Sequence, residues 1–386
     1  MRTVTRWIVA VVVIVHGLIH LLGAAKGFGW AEVSQLQEPI STAMGAAWLA
    51  AAVLMVAAGA LLAIGARWWW MVGAGAVVLS QAVILSSWSD AKAGTIANAV
   101  LLAAVAYGYA SQGPNSYRTE YRHQVDTALA ETRPGAVVTE ADLDHLPEHV
   151  AGYVRRSGAV GRPRVTNFDA RVHGRIRGGA TKRWMSFTGK QVNTYGPEPS
   201  RLLFMDATMF GLPVDVLHTY LGRTATMRVK ACSLIPMVNA AGAEMDRAET
   251  VTMFNDICVL APAALIDAPI TWQPIDDRRV RGAFTNGAHS VTADLAFDDN
   301  HELVDFTSDD RLRASPDGKT FTPQRWSTPI SDYRSFGSRR VGTTGEARWH
   351  APDPEGEFSY LEFIVDDITY NAGTAATGRE EDWNSG

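Results

Sequence analysis

Four long runs without Asp, Glu, Lys or Arg occupy the first third of this 386-residue chain, at residues 7–25, 41–66, 68–89 and 93–110. At a rise of about 1.5 Å per residue, each run is close to the length with which an α-helix crosses a hydrocarbon layer about 30 Å thick. Such apolar segments are more stable in lipid than in water. The runs therefore predict an integral membrane protein whose residues 1–110 form a transmembrane domain of four helices.

A cleaved signal peptide is the alternative interpretation of the first run. Arg2 and Arg6 precede it, and it ends in Gly23, Ala24 and Ala25, which are small enough for a cleavage site. The three further apolar runs favour a permanent helix instead.

Basic residues in the short segments that flank the runs predict an orientation. Arginines at positions 2, 6, 67, 118 and 122 fall on one side of the predicted bundle, whereas the other side has only Lys26 and Lys92. Because basic flanks tend to stay in the cytoplasm, the N-terminus and the C-terminal domain are both predicted to be cytoplasmic. The chain would then be a multi-pass protein of the inner (plasma) membrane.

Polar side chains inside the apolar runs form the candidate site of the membrane domain. They are costly in lipid, so we expect them to converge inside the bundle. The set consists of His16, His20, Gln81, Thr95 and Asn98, with Asp90 and Lys92 at the outer mouth. It predicts an intramembrane pocket for a quinone head group, a proton or a metal ion, although no metal is assigned because the runs supply too few ligands. The alternative is hydrogen bonding that only holds the helices together.

The rest of the chain has a different composition. Turn-forming residues predict a juxtamembrane linker at 111–138, then a soluble domain at 139–373 and a disordered tail at 374–386. Apolar and polar residues alternate along eight segments of the soluble domain, as in antiparallel strands with one side in water. These segments are residues 168–176, 184–192, 202–209, 225–234, 280–285, 291–297, 303–308 and 360–368.

Two segments of the soluble domain, at about 142–157 and 248–261, have the apolar period of an amphipathic helix. The pattern predicts an α+β domain in which a curved antiparallel sheet of about nine strands has its apolar face covered by two helices. Two arrangements stay open at this point. The helices could fill the concave side of the sheet, or an apolar cleft could remain between sheet and helix.

Short motifs around the second helix resemble those of an uncharacterised bacterial domain-of-unknown-function family over residues 139–371. They comprise Gly242, Asp246, Glu249, Asp256, Pro262, Ala263, Leu265 and Trp272, with Leu146-Pro147, residues 153–158, Arg311, Trp326, Tyr333 and Gly337. The resemblance implies an open half-barrel similar to the LolA and LolB lipoprotein carriers, which hold acyl chains between sheet and helices. The membrane domain resembles the DoxX-like four-helix family through His16-Gly17 in its first run. Neither resemblance supplies a catalytic residue.

Catalytic signatures are missing from the sequence. It has no nucleophile elbow, zinc-protease helix, Walker loop or dinucleotide fingerprint. The mild net charge of −5 does not suggest a nucleic-acid partner. Cys232 and Cys258 lack redox or zinc spacing, and whether they pair stays open. The sequence leaves any cofactor unidentified and favours a protein without enzymatic activity.

The leading hypothesis is therefore a membrane-anchored protein whose β-rich domain binds a lipid or another lipophilic molecule near the bilayer. The expected lining of the lipophile site is Phe168, Val172, Trp184, Phe187, Phe204, Val229, Phe254 and Ile257. The alternative is that these side chains only pack in the hydrophobic core of the domain. A second hypothesis is a membrane redox or quinone-associated protein acting through His16, His20, Gln81 and Asn98. A third is a structural partner of another membrane complex.

Overall fold

The computed structural model describes residues 3–133 and 135–373 and divides into two compact units. A helical unit extends to Glu120, and a β unit begins at Tyr121. The tail predicted to be disordered, at 374–386, lies outside the described residues.

The helical unit contains the four helices that the apolar runs predict. Each is long and apolar enough to cross a membrane by length and composition. Their bounds are α1 Thr3–Gly27, α2 Thr42–Ala63, α3 Trp69–Ser86 and α5 Gly94–Gln112, with the single turn α4 Trp88–Ala91 between the last two. Ser41 caps α2, because its hydroxyl accepts a hydrogen bond from the Met44 backbone N–H at 3.2 Å.

Small residues set the close packing of α1 against α2. A Cβ atom placed on Gly17 would lie 2.7 Å from the Met55 Cβ, and one placed on Gly45 would lie 2.9 Å from the Gly27 Cα. Larger side chains would therefore push the two helices apart. In lipid, where dispersion replaces the hydrophobic effect between helices, this close approach is the main source of helix association.

The predicted linker contains a further helix, α6 Tyr117–Ala130. Its side chains Tyr121, Val125 and Leu129 are buried. The spacing of four residues places them on one face of the helix, and the Tyr121 ring lies 6.1 Å from the ring of Phe204 in the sheet. From Tyr121 on, α6 is thus part of the β unit.

One antiparallel sheet of thirteen strands forms the β unit, in the order β6-β5-β4-β3-β2-β1-β15-β14-β13-β10-β9-β8-β7. The antiparallel pairing predicted from the sequence is confirmed, but the estimate of about nine strands is too low. The strands are β1 Asn167–Ile176, β2 Met185–Thr194, β3 Ser200–Met209, β4 Leu212–Leu221, β5 Thr224–Ala231, β6 Ile235–Ala241, β7 Ile270–Pro274, β8 Arg279–Asn286, β9 His289–Phe297, β10 Leu303–Ser308, β13 Trp326–Phe336, β14 Arg339–His350 and β15 Glu357–Tyr370. A separate two-stranded ribbon pairs β11 Leu312–Ala314 with β12 Phe321–Pro323.

Two helices of the β unit belong to the same apolar core as the sheet. The first, α7 Glu148–Arg156, is shorter than predicted, because residues 140–143 form a separate 3-10 turn and Pro147 stands at the N-cap. The second, α8 Ala243–Leu260, starts five residues before the predicted position. It follows Gly242, whose φ of +107° suits only glycine, and ends ahead of Pro262.

The sheet curls so that strands distant in its order meet around α8. The Asn286 side-chain amide donates hydrogen bonds of 2.7 Å to the Tyr220 hydroxyl and to the Gly222 carbonyl, which joins the β8–β9 turn to β4 and the β4–β5 turn. Tyr220 in turn lies 2.9 Å from the hydroxyl of Thr250 on α8. The helix α8 therefore lies on the concave side of the sheet.

Candidate functional site

Polar side chains of three helices meet inside the helical unit. His20 Nε2 lies 2.8 Å from the Ser80 hydroxyl, which donates to the Asn98 carbonyl oxygen at 2.9 Å. His16 Nε2 lies 3.2 Å from the same Asn98 oxygen. All four residues are buried. We name this group the polar cluster; it brings α1, α3 and α5 together.

Two more predicted residues extend the polar cluster on its half-buried side. The Asn98 amide donates to Gln81 Oε1 at 3.0 Å, and the Gln81 amide donates to the Thr95 hydroxyl at 3.2 Å. The structure thus brings together all five polar residues that the sequence placed in the apolar runs. It adds Ser80, which the sequence reasoning missed because a lone serine in an apolar helix is usually satisfied by its own backbone.

The rings of the two histidines fix the shape of the polar cluster. They meet edge to face with centroids 4.6 Å apart, and the Trp48 ring lies 5.1 Å from His20. His20 Nδ1 lies 2.9 Å from the His16 carbonyl oxygen, to which a protonated Nδ1 donates, and His20 Nε2 faces the Ser80 hydroxyl. The polar cluster therefore links α1, α3 and α5 through hydrogen bonds between their side chains.

Asp90 and Lys92, predicted at the mouth of the pocket, are not part of the polar cluster. The Asp90 carboxylate accepts hydrogen bonds from the backbone N–H groups of Gln37 and Glu38, at 2.6 and 3.0 Å, and so anchors the α1–α2 loop. The bond from Glu38 is the main reason that the pKa of Asp90 is lowered. Lys92 is exposed. Across residues 3–133 and 135–373, no group of three or more His, Cys, Asp or Glu side chains is placed to hold a metal, and both cysteines are free.

The predicted lipophile lining of the β unit divides into three sets. The first set is buried in one continuous core and consists of Phe168, Val172, Phe187, Phe254 and Ile257. Val229 is partly buried and packs against that core. Phe204 is buried on the other face of the sheet, because side chains alternate along β3 and its neighbours Leu203 and Met205 face the core. Trp184 lies outside the core.

Trp184 occupies the β1–β2 connection, where two guanidinium groups lie against it. The Arg175 and Arg177 carbons Cζ are 4.5 and 4.4 Å from its ring centroid. Such cation–π contacts stabilise an indole ring that is only half buried. Trp184 and Phe204 therefore do not lie with the other six predicted lining residues on the concave side of the sheet.

A cluster of charged side chains lies between α8 and the sheet, in the space where an acyl chain was expected. Glu249 on α8 is fully buried and lies 2.9 Å from the Arg311 guanidinium, 3.0 Å from His218 Nε2 and 3.6 Å from the Arg201 guanidinium. Two turns further along α8, the Asp256 carboxylate accepts a hydrogen bond from Arg201 at 2.7 Å. We name these five residues the ion cluster.

Two amides complete the ion cluster. Gln191 and Asn193 on β2 donate to Asp256 at 2.6 and 3.1 Å. Burial works to raise the pKa of Glu249, but the charges of His218, Arg311 and Arg201 outweigh it and hold that pKa well below its ordinary range. The concave side is therefore occupied by ionic as well as apolar contacts.

Side chains of α8 fill this interior, where Val251 and Cys258 are completely buried. A cavity beside Val165, Pro262 and Tyr370 has an empty volume of about 150 Å³. Pockets that bind drug-sized ligands measure roughly 300–1,000 Å³. Of the two arrangements that the sequence left open, the structure therefore favours helices that fill the concave side.

Large apolar side chains are exposed at one end of the sheet instead. Because β1 to β6 form a meander, the turns after β1, β3 and β5 lie at the same end. Phe210 in the β3–β4 turn is 77% exposed, and Ile235 at the start of β6 is 59% exposed. Leu212 and Met237 are exposed beside them. We name Phe210, Leu212, Ile235 and Met237 the hairpin surface.

Basic side chains on the outer face of β1 have acidic partners on β15. The Arg175 guanidinium forms two hydrogen bonds with Glu362, at 2.6 and 2.7 Å, and His173 lies 2.7 Å from Asp366. Arg171 lies 3.4 Å from Asp367. This face is an ordinary solvated row of ion pairs.

Comparisons with known proteins place the β unit among described families. Residues 136–363 match a family model described as "Family of unknown function (DUF6544)"; residues 1–135, where the DoxX-like resemblance lies, are outside that match. No curated protein matches the chain.

Two solved structures are similar to this chain at low identity. One is a putative outer membrane lipoprotein-sorting protein domain from Vibrio parahaemolyticus, with 10% identity, a TM-score of 0.32, and 57% of this chain and 88% of that chain covered. The other is a DUF1329 family protein from Desulfovibrio piger ATCC 29098, with 13% identity, a TM-score of 0.34, and coverage of 60% and 95%. At these TM-scores neither structure adds to the description of the site.

Proposed function

The chain belongs to the family of unknown function DUF6544, and from its own geometry we propose a membrane-anchored protein, without enzymatic activity, whose β unit binds lipid through the hairpin surface. The helices α1, α2, α3 and α5 are the anchor. From the positive-inside rule we also propose that the β unit lies on the cytoplasmic side of the plasma membrane.

Exposure of the hairpin surface is the observation that carries this function. Exposure of four large apolar side chains in and beside the β3–β4 and β5–β6 turns costs free energy in water, at about 25 cal/mol per Å² of apolar area. Adjacent exposed apolar residues of this size mark a surface that meets a membrane or a partner. The four anchor helices would keep a bilayer within reach of the β unit, so lipid is the occupant we propose.

The interior of the β unit supports lipid contact at the surface rather than inside the sheet. The concave side holds the fully buried Glu249 and the nearly buried Arg201 and Arg311. An acyl chain placed there would separate charges that stabilise each other in a medium of low dielectric constant, which costs several kcal/mol. We therefore move the lipophile site predicted from the sequence to the hairpin surface.

Spin labels on the full chain in lipid nanodiscs test the proposal. The label is placed at Phe210→Cys in a Cys232→Ser background; the other cysteine, Cys258, is buried and does not react. We expect the Phe210 label to be more accessible to oxygen than to a water-soluble nickel chelate, because oxygen partitions into lipid. The matched control is Glu198→Cys, an exposed position in the β2–β3 turn at the opposite end of the meander. Equal nickel accessibility at the two labels would rule out the proposed surface.

The polar cluster favours a second candidate function, binding of a quinone head group inside the bundle. A quinone carbonyl needs hydrogen-bond donors in an apolar surrounding, and Ser80, Asn98 and the two histidines can supply them by changing their present partners. If the polar cluster only held the helices together, its hydrogen bonds would not need to change partners.

Loss of quinone from a His20 variant tests this second function. We expect His20→Leu to purify with about tenfold less quinone than the wild type, since one hydrogen bond inside an apolar site is worth about 1–2 kcal/mol. The control is Ser86→Ala on α3, whose hydroxyl donates to the carbonyl of Val83 in its own helix. Equal quinone content in His20→Leu and the wild type would leave the polar cluster with a structural role only.

A further inference from the structure

We propose that His149 and His301 of the β unit form a binding site for a divalent transition-metal ion of the nickel or copper type. Their Nδ1 atoms lie 3.0 Å apart, and their ring centroids lie 4.9 Å apart. Imidazole nitrogens are common protein ligands of these metals. The site involves neither the hairpin surface nor the helices of the membrane anchor, so it stands independently of the proposed function.

The distance between the two nitrogens fits ligands that meet a metal at a right angle. With metal–nitrogen bonds of about 2.0–2.1 Å, a separation of 3.0 Å between the Nδ1 atoms corresponds to a nitrogen–metal–nitrogen angle of about 95°. Tetrahedral coordination would require a separation of about 3.3–3.4 Å with the same bonds. Neighbouring ligands of a square-planar or tetragonal ion meet at about 90°, which is the geometry of Cu(II) and Ni(II).

The second ring nitrogen of His149 has a partner that prepares the first for a metal. The Asp277 carbonyl accepts a hydrogen bond from His149 Nε2, because a carbonyl oxygen cannot donate. A neutral His149 ring then presents the lone pair of Nδ1 to His301. Metal-binding histidines commonly donate their other ring nitrogen to a backbone carbonyl in this way. Without metal, His301 Nδ1–H donates to that lone pair; when a metal binds, the hydrogen moves to His301 Nε2 by exchange with water, and both rings stay neutral.

Packing against α7 and the sheet orients both rings before a metal binds. His149 lies in the first turn of α7, and its ring stacks on that of Phe297 with centroids 5.9 Å apart and an interplanar angle of 12°. Gly152, three residues further along the same face of α7, makes room for His301, since a Cβ atom there would lie 2.5 Å from His301 Cγ. The two ligands therefore need little reordering, which limits the entropy lost on binding.

The β9–β10 turn holds the backbone of His301 in place. The Asp298 carboxylate accepts hydrogen bonds from the backbone N–H groups of Asn300 and Glu302, at 2.9 and 2.8 Å. Between them His301 has a φ of +60°, a left-handed conformation that histidine adopts more readily than most residues. Both histidines are only half-buried. Water therefore has access to the metal and would occupy its remaining coordination positions.

Titration of the full chain in detergent with Ni²⁺, on protein prepared without a polyhistidine tag, tests the site. We expect calorimetry to show binding of Ni²⁺ and X-ray absorption to show two imidazole ligands on the ion. His301→Asn should weaken binding about tenfold or more, because the remaining histidine loses the advantage of a second ligand held beside it. Asparagine tolerates the left-handed conformation of this position, so the variant should fold. His149→Gln should cause a similar loss.

The matched control is His289→Gln, because His289 is also half-buried and begins β9, at the opposite end of that strand from the turn that contains His301. It should bind Ni²⁺ as the wild type does. Ni²⁺ should also raise the denaturation midpoint of the β unit in the wild type and in His289→Gln but not in His301→Asn, since the ion binds the folded state. Equal Ni²⁺ affinity in the three histidine variants, or no binding by the wild type at millimolar Ni²⁺, would overturn the inference and leave the pair as a hydrogen bond between α7 and the turn.

Discussion

Replacing Glu249 with glutamine is expected to lower the free energy of unfolding of the β unit by about 3–5 kcal/mol. The change keeps the size of the side chain and removes its charge. Arg311 then loses its carboxylate partner at 2.9 Å, and Arg201 keeps only Asp256. A buried guanidinium without a counter-charge is poorly solvated by the protein, and the folded state bears that cost while the unfolded state does not.

The measurement is urea denaturation of the full chain in detergent, followed by hydrogen exchange of the β-strand peptides so that the helical unit does not contribute. Glu140→Gln is the matched control, because the Glu140–Arg155 ion pair has the same chemistry, at 2.8 Å, on the surface. Its midpoint should not move measurably, since water solvates both partners when the pair breaks. Equal denaturation midpoints for the two variants would mean that the ion cluster does not stabilise the packing of α8 against the sheet.

The four long apolar helices were predictable because a single feature, the absence of charge over about twenty residues, decides each of them. The predicted ends of these helices agree with their ends in the structure to within a few residues. The polar cluster was predictable too, since a histidine or asparagine in an apolar helix has few places to go except toward another polar group. Ser80 was missed because its hydroxyl, unlike an imidazole, can be satisfied within its own helix.

The β unit was harder to predict because alternation fails where both faces of a strand are covered or both are wet. In β4, both Val214 and the charged Asp215 are buried, so burial does not follow the apolar pattern. In β6, most side chains are exposed although Ile235 and Met237 are apolar. Both strands were left out of the predicted sheet.

The assignment of a lining failed for a related reason. Sequence shows that a side chain is apolar but not which face of a curled sheet it occupies or what lies opposite. Phe204 and Phe187 look equivalent in the sequence, yet one packs beside Tyr121 and the other in the concave core. The charges that fill the core came from Arg201, His218, Glu249 and Arg311, which lie far apart in the chain and meet only after folding.

Truncating Phe254 to alanine is expected to lower the free energy of unfolding of the β unit by about 3–5 kcal/mol. Phe254 is fully buried on α8, with its ring 5.5 Å from the ring of Phe284 and 5.2 Å from that of Phe306. A Cβ atom on Gly282 would lie 2.7 Å from the tip of the Phe254 ring, so the backbone of β8 already approaches closely. Removal of the ring would leave a cavity that this well-packed surrounding cannot close.

Phe210→Ala is the matched control, because it makes the same chemical change at a ring that is 77% exposed. Denaturation midpoints in detergent and the amount of lipid that co-purifies are measured for both variants. A core role for Phe254 and a lipid-binding role for the hairpin surface predict opposite results: Phe254→Ala loses stability and keeps its lipid, whereas Phe210→Ala keeps its stability and loses lipid. If Phe254→Ala were as stable as the wild type and lost lipid, the concave side would be a lipid cleft after all, because a ring that contacts a ligand contributes little to the stability of the unliganded fold.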